Sequence, residues 1–175
     1  MSYCTYARSQ KKGTVHRDHH DSEHGFHPKD DNDLFRRLML EISQAGLSFE
    51  IVLKKKSGIY TAFSHVDKVA KFTNKELTKL MQDGGIIRNR LKIEAAIFNA
   101  RAIKKLQKDH GSFKKWLDTH HPKTKEEWVK LFKSTFKFTG GEIVNEFMMS
   151  IGLLPGAHDK DCLVGKKLKV KYKNP

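Results

Sequence analysis

Two cysteines, Cys4 and Cys162, stand near opposite ends of a 175-residue chain, and His158 lies four residues before the second of them. A histidine and a cysteine at that spacing can reach one ion from a single turn, and two thiolates with two imidazoles make a closed tetrahedral zinc site. Five of the ten histidines fall at positions 16, 19, 20, 24 and 27, so spacing leaves the second imidazole open among them. The alternative is a pair of buried, reduced thiols with no ion. A carboxylate comes next: Glu41 follows Leu38, Met39 and Leu40 and precedes Ile42, at the border of an apolar stripe. There it is either a solvated helix residue or a partly buried acceptor lining a pocket, with Ser43 and Phe49 near in sequence to add a hydroxyl and a ring. The third group is a pair of glycine turns. In Lys137-Phe138-Thr139-Gly140-Gly141 a glycine connector leads into a helix, so the backbone can approach a phosphate and present free amides to it. The same composition serves an ordinary link between helices. Asp83-Gly84-Gly85 leads through Arg88 and Arg90 into a basic helix, as a second phosphate contact or a plain helix end.

Helices must carry these groups. Leu34, Phe35, Leu38, Met39 and Ile42 recur at helical spacing over residues 31–46, with Asp31 or Asn32 as the cap and Gly46 as the stop. A second helix starts at Ser48, and a shorter one covers Gly58 to Phe63. Thr73 and Glu76 form a capping box for a helix ending near Gln82. Residues 89–110 make a long amphipathic helix with Ile93, Ala96, Ile97, Ala100, Ile103 and Leu106 on one side. Short helices follow over 112–117, over 125–134 behind Thr124, and over 142–152. A period of two appears only at Leu168 to Tyr172, where alternating lysines suit a strand or a frayed tail. The expected class is all-α, with one domain over residues 1–165 and a basic tail over 166–175.

With 34 Lys and Arg against 20 Asp and Glu, the chain carries a formal charge of +14, which points to a polyanion such as nucleic acid. The cations are distributed: Lys54-Lys55-Lys56, Arg88, Arg90 and Lys92, Lys104 and Lys105, Lys133 and Lys137, and Lys166 to Lys173. No segment has the apolar length of a membrane span, and the polar opening residues are unlike a secretory signal, so a cytoplasmic protein with reduced thiols is expected. Nothing in the chain requires more than a monomer.

Several blocks together resemble the 3-methyladenine DNA glycosylase I family. They are His20-Asp21-Ser22-Glu23, the run from Leu40 to Ser48, and Val52-Leu53-Lys54-Lys55. Gly85-Ile86-Ile87-Arg88, Arg90-Leu91-Lys92-Ile93, Asn99-Ala100-Arg101-Ala102, Phe136 to Gly140, Gly152-Leu153, and finally His158 and Cys162 complete the series. The resemblance implies a two-lobe, helix-hairpin-helix glycosylase fold that flips the damaged base out of the duplex. It implies structural zinc on Cys4, His20, His158 and Cys162, and it gives Glu41 the role of the carboxylate that holds the excised base. Double-stranded DNA containing alkylated bases is the implied partner, gripped by the hairpin of Lys137, Phe138, Thr139, Gly140 and Gly141 with Arg88 and Arg90. No lysine nucleophile is implied, so the expected enzyme is monofunctional.

The chain departs from the family where aromatic rings surround the base. The family reads Tyr-His-Asp-x-Glu-Trp-Gly; here His19 and His24 replace the two rings, and Phe49 replaces a tryptophan after Gly-Leu-Ser. A protonated imidazole repels a cationic base, whereas a neutral one still stacks. The altered rings leave room for a different alkylated purine, or for a DNA-binding module without chemistry.

Overall fold

The computed structural model describes residues 2–172, and every regular element among them is helical. In chain order these are α1 (Tyr3–Ser9), α2 (Val15–Ser22), α3 (Asp31–Gln44), α4 (Phe49–Lys54), α5 (Lys56–Ala62) and α6 (Val66–Ala70). Then follow α7 (Asn74–Gln82), α8 (Arg90–His110), α9 (Phe113–His120), α10 (Lys125–Thr135), α11 (Gly141–Ser150) and α12 (Leu163–Tyr172). The chain divides into two compact units: one pairs the residues up to His27 with those from Met148 onward, and the other comprises Pro28–Phe147.

The second unit is built around α8, a 21-residue helix that packs on α6, α9, α7 and α3. Its buried face contains the six apolar residues expected from the periodicity, together with Lys92 and Asn99. Asn89 caps its start by accepting from the Lys92 amide at 3.2 Å. Beyond α8, the rings of Phe113, Trp116, Phe132 and Phe136 form a connected cluster, with centroids 5.1 Å apart for Phe132 and Phe136 and 5.5 Å for Phe113 and Phe136. Phe136 is 4% exposed, so the connector between α10 and α11 begins inside the core.

Several caps match the sequence expectation, among them the box at Thr73, the cap at Thr124, which Glu127 also completes as a box, and the stop at Gly46, whose φ is +77°. The cap of α3 does not. Asp30 takes that place, accepting from the Asp33 amide at 2.8 Å. Asp31 is used elsewhere: it accepts from the Phe113 and Lys114 amides at 2.8 and 3.0 Å, at the start of α9, and from Gln107 at 2.9 Å. Asn32 likewise accepts from the amide of Val66 at 2.9 Å, at the start of α6. Two residues with local capping chemistry thus serve helices remote in sequence.

The strand-like pattern at the C-terminus is helical, in α12 (Leu163–Tyr172). Leu168 is 7% exposed while Lys166, Lys167 and Lys169 face outward, so a single buried position in a lysine-rich helix produced the apparent alternation. Residues 173–175 of the expected tail lie outside the described residues. No helix among the described residues is long and apolar enough to cross a membrane.

One contact makes a sharp steric demand. A Cβ at Gly58 would lie 2.2 Å from the carbonyl oxygen of Gly85 and 2.7 Å from its carbon, so α5 meets the Asp83–Arg88 turn backbone to backbone. The Lys55 ammonium donates to the carbonyl of Gly84 beside that contact. At Gly84 a Cβ would meet nothing within 4 Å. Gly58→Ala is expected to destabilise the fold by about 1–3 kcal/mol in urea unfolding, as overpacking does. Gly84→Ala, the paired control, should stay within about 0.5 kcal/mol of the parent, as open surface sites do.

Candidate functional site

In the first unit α1 carries Cys4, α2 carries His20, and the turn ahead of α12 carries His158 and Cys162. Ser2 caps α1 by accepting from the Thr5 amide at 3.1 Å, and its hydroxyl donates to Asp159 at 2.5 Å, which draws the turn toward the start of the helix. The Cys162 amide donates to the Asp159 carbonyl at 3.0 Å and closes that turn. The four candidate ligand atoms all lie within 4.8 Å of one another. Cys4 Sγ is 3.1 Å from His20 Nε2 and 3.9 Å from His158 Nδ1; Cys162 Sγ is 3.7 and 3.6 Å from the same two nitrogens, which are 3.3 Å apart. Ligands of one tetrahedral ion with bonds of about 2.0–2.3 Å stand roughly 3.3–3.8 Å from one another. The cluster therefore has the size and donor set of a metal site.

The atoms behind the ligands agree. His20 presents Nε2 to the cluster while its Nδ1 meets the Asp21 carboxylate at 2.7 Å. His158 presents Nδ1 while its Nε2 meets the His24 carbonyl at 2.8 Å. An acceptor on the far nitrogen fixes ring orientation and tautomer, the usual arrangement behind a metal-bound histidine. Burial opposes ionisation of Asp21, but hydrogen bonds from Arg17, at 2.7 Å, and from His20 outweigh it and hold the carboxyl below its usual range. Burial, with Cys162 adjacent, pushes the Cys4 thiol up to about 11, so ion binding must displace its proton.

His20 was one of five histidines that spacing left equivalent; only its ring nitrogen joins the cluster with those of His158 and the two sulfurs. His19 and His24 are 2% and 6% exposed, with ring centroids 5.8 Å apart, and His19 pairs with Glu23 at 3.3 Å. Burial first, then the neighbouring His19, His158 and His20, lower the His24 pKa to about 3. A shift in this direction favours the neutral, stacking form of the ring over the protonated one.

In the second unit Glu41 is 4% exposed on α3, a buried carboxylate and not a solvated one. Ser43 is equally buried, and its hydroxyl donates to the Met39 carbonyl at 2.6 Å. Phe49 opens α4 behind the Ser48 cap and is half-buried. Arg88 and Arg90 are both exposed, with Arg90 paired to Glu94 at 2.8 Å.

The hairpin between α10 and α11 is held at several points. Phe136 is anchored in the aromatic cluster, and Thr139, 4% exposed, donates to the Phe136 carbonyl at 3.3 Å. Between them Phe138 adopts φ +59°, a left-handed conformation that L residues rarely hold, and the residue is 36% exposed. Lys137 is exposed, with its ammonium 4.6 Å from the centroid of the Phe98 ring. Gly140 and Gly141 have open space where a Cβ would stand.

Two residues central to this geometry had no such role from sequence: Asn99 entered only within a block of the family resemblance, and Lys92, counted among the cations suited to a polyanion, is instead buried. Asn99, fully buried, donates from Nδ2 to the Lys137 carbonyl at 3.0 Å and accepts the Lys137 amide on Oδ1 at 2.8 Å. Lys92, 5% exposed, donates to the carbonyls of Ser43 and Ala45 at 2.9 and 2.6 Å. The signal available was a pair of polar residues seven apart on the apolar face of a long helix.

Known proteins share this fold. The methyladenine glycosylase family profile matches residues 9–131. The DNA-3-methyladenine glycosylase of Haemophilus influenzae is 34% identical over 170 residues, covering 85% of this chain and 91% of that protein. DNA-3-methyladenine glycosylase 1 of Escherichia coli K12 is 34% identical over 157 residues, covering 78% and 84%. A crystal structure of a variant 3-methyladenine DNA glycosylase I in complex with 3-methyladenine superposes with a TM-score of 0.82 at 31% identity, covering 94% of this chain and 97% of that one. The Staphylococcus aureus enzyme, solved for its recognition of 3-methyladenine, gives 0.81 at 29% identity, covering 93% and 97%. The residues that build the clamp, the hairpin and the buried carboxylate thus lie in a chain that belongs to the methyladenine glycosylase family.

Proposed function

We propose that the protein is a monofunctional DNA glycosylase that hydrolyses the N-glycosidic bond of 3-methyladenine in alkylated duplex DNA. The observation that carries the reading is Glu41: a buried carboxylate on α3, in a fold matched at a TM-score of 0.82 to a chain holding 3-methyladenine. Alkylation at N3 leaves the base cationic while it is attached to the sugar. Scission of the glycosidic bond releases it as a neutral molecule, water supplies the oxygen that bonds to C1′, and one proton passes to solvent. Such a leaving group needs little acid assistance. A desolvated carboxylate that accepts hydrogen bonds from the base favours the flipped state, and the rigid site around it favours departure. Ser43 and Phe49, near Glu41 in sequence, are the further residues assigned to the base pocket, Phe49 as a stacking ring.

The hairpin of Lys137, Phe138, Thr139, Gly140 and Gly141, with Arg88 and Arg90, is the proposed grip on the phosphate backbone. Its amides at the start of α11 and its lysine suit an anion. A monomer suffices for this arrangement. Zinc is the ion assigned to Cys4, His20, His158 and Cys162, because two thiolates and two imidazoles, three of the four residues buried, suit a structural tetrahedral ion. It would tie α1 and α2 to the turn ahead of α12 and supply folding energy to the first unit.

Methylated duplex incubated with the protein should release free 3-methyladenine, and free 3-methyladenine should compete. Glu41→Gln should slow release by about 100-fold, on the scale of losing one main electrostatic contact in the site. No release by the parent would defeat the function, and parental rates in the variant would defeat the role of Glu41. Asn99→Ala strands two main-chain groups of the hairpin, so affinity for undamaged duplex should fall about tenfold, near 1.4 kcal/mol, in a binding titration. Binding of the free base should be retained. Protein purified without chelator should contain about one zinc per chain, and Cys162→Ser should lower the thermal midpoint by more than about 5 °C. A metal-free protein of equal stability would exclude the ion.

A further inference from the structure

Lys92 occupies a costly position. It is the third residue of α8, where the positive end of the helix dipole disfavours a cation, and it is 5% exposed. Lysines are seldom buried without a compensating partner. Burial lowers the pKa of this one, with no other cause resolved. Its ammonium meets neutral acceptors: the carbonyl of Ser43 in the last turn of α3, at 2.9 Å, and that of Ala45, the C-cap, at 2.6 Å. The negative end of α3 offsets part of the burial cost there. The ring of Phe138 lies 5.9 Å from the same ammonium, which is within range of a cation–π contact.

One charged group therefore touches two structures with different tasks. Ser43 and Ala45 are two and four residues beyond Glu41, and Ala45 opens the turn that leads through Gly46 to Phe49. Phe138 belongs to the hairpin. Seven residues further along α8, about two turns and 10 Å on the same face, Asn99 clamps the hairpin residue Lys137. Helix α8 thus carries two polar anchors at a fixed spacing, one directed to the end of α3 and one to the hairpin.

We propose that Lys92 is a positioning residue that sets the Glu41-bearing end of α3 against the hairpin, so that backbone gripping and base capture occur in one register. The inference rests on the glycosylase reading above. Each half-site keeps its own fixings without Lys92: the hairpin retains Asn99 and Phe136, and Glu41 retains its place within α3. Their alignment is what the ammonium contributes, and alignment is read in the rate on DNA more than in either affinity.

The experiment compares the full-length parent with Lys92→Met, which keeps the apolar stem, and with Lys92→Arg, which keeps the charge. Three quantities are measured: affinity for undamaged duplex, affinity for free 3-methyladenine, and the single-turnover rate of base release at saturating enzyme. For Lys92→Met both affinities should stay within about twofold of the parent while the rate falls at least about tenfold, and Lys92→Arg should recover most of that rate. An unchanged rate in Lys92→Met overturns the proposal. So does a parallel fall of all three quantities, which marks a merely structural lysine. Should Lys92→Met fail to fold, Lys92→Gln, which retains donors without charge, is judged by the same split. The parent is the control: if it releases no base, the glycosylase reading fails, which is distinct from a parent that works and a variant that matches it.

Discussion

Helix α8 can bury Ile93, Ala96, Ile97, Ala100 and Ile103 only by taking Lys92 and Asn99 inward with them, because all seven share one face of a 3.6-residue repeat. The apolar members supply the driving force, and the polar members must then find partners, since a buried polar group left unpaired costs roughly 1–3 kcal/mol. Their partners are main-chain groups of irregular segments: the end of α3 for Lys92, the α10–α11 connector for Asn99. Loops with few apolar residues of their own thereby acquire fixed positions from a helix that has many. The left-handed Phe138 is tolerable for the same reason, as its neighbours on both sides are pinned.

The first unit follows a different economy. Helices α1 and α2 have seven and eight residues, too short to persist in water by themselves. Among their buried residues are Cys4, Ala7, His16, His19 and His20, a set with little aliphatic surface. Small units that lack a large apolar core commonly depend on a covalent or metal cross-link. The convergence of two sulfurs and two imidazole nitrogens inside 4.8 Å is an arrangement that could hold such a metal.

What could be read from sequence followed where the burial signal lay. Helices α3, α7, α8 and α10 were legible because aliphatic and aromatic residues mark their inner faces and three of the four carry recognisable caps. Helices α1 and α2 were not anticipated, because their inner faces are histidine and cysteine, which register as polar in any hydrophobic pattern. Alternating lysines disguised α12 for the converse reason. Spacing could not separate His20 from His16, His19, His24 and His27, whereas the matched order of blocks could. Glu41 stood at the edge of a stripe, where a rotation of a few tens of degrees decides between solvent and interior. The anchoring roles of Asn99 and Lys92 were not legible because their partners are carbonyls and amides, which every residue possesses and no sequence advertises.

Asp31 illustrates how local chemistry is spent at a distance. Standing in the first turn of α3, its carboxylate accepts the leading amides of α9 and the side chain of Gln107 at the end of α8. One anion therefore neutralises the positive ends of two helices that begin more than eighty residues apart. Substitution there loosens a junction of three helices, not a single turn, although nothing in the surrounding sequence marks position 31 as a junction. The residue behaves as a keystone: it stands in one helix while its side-chain hydrogen bonds reach two others.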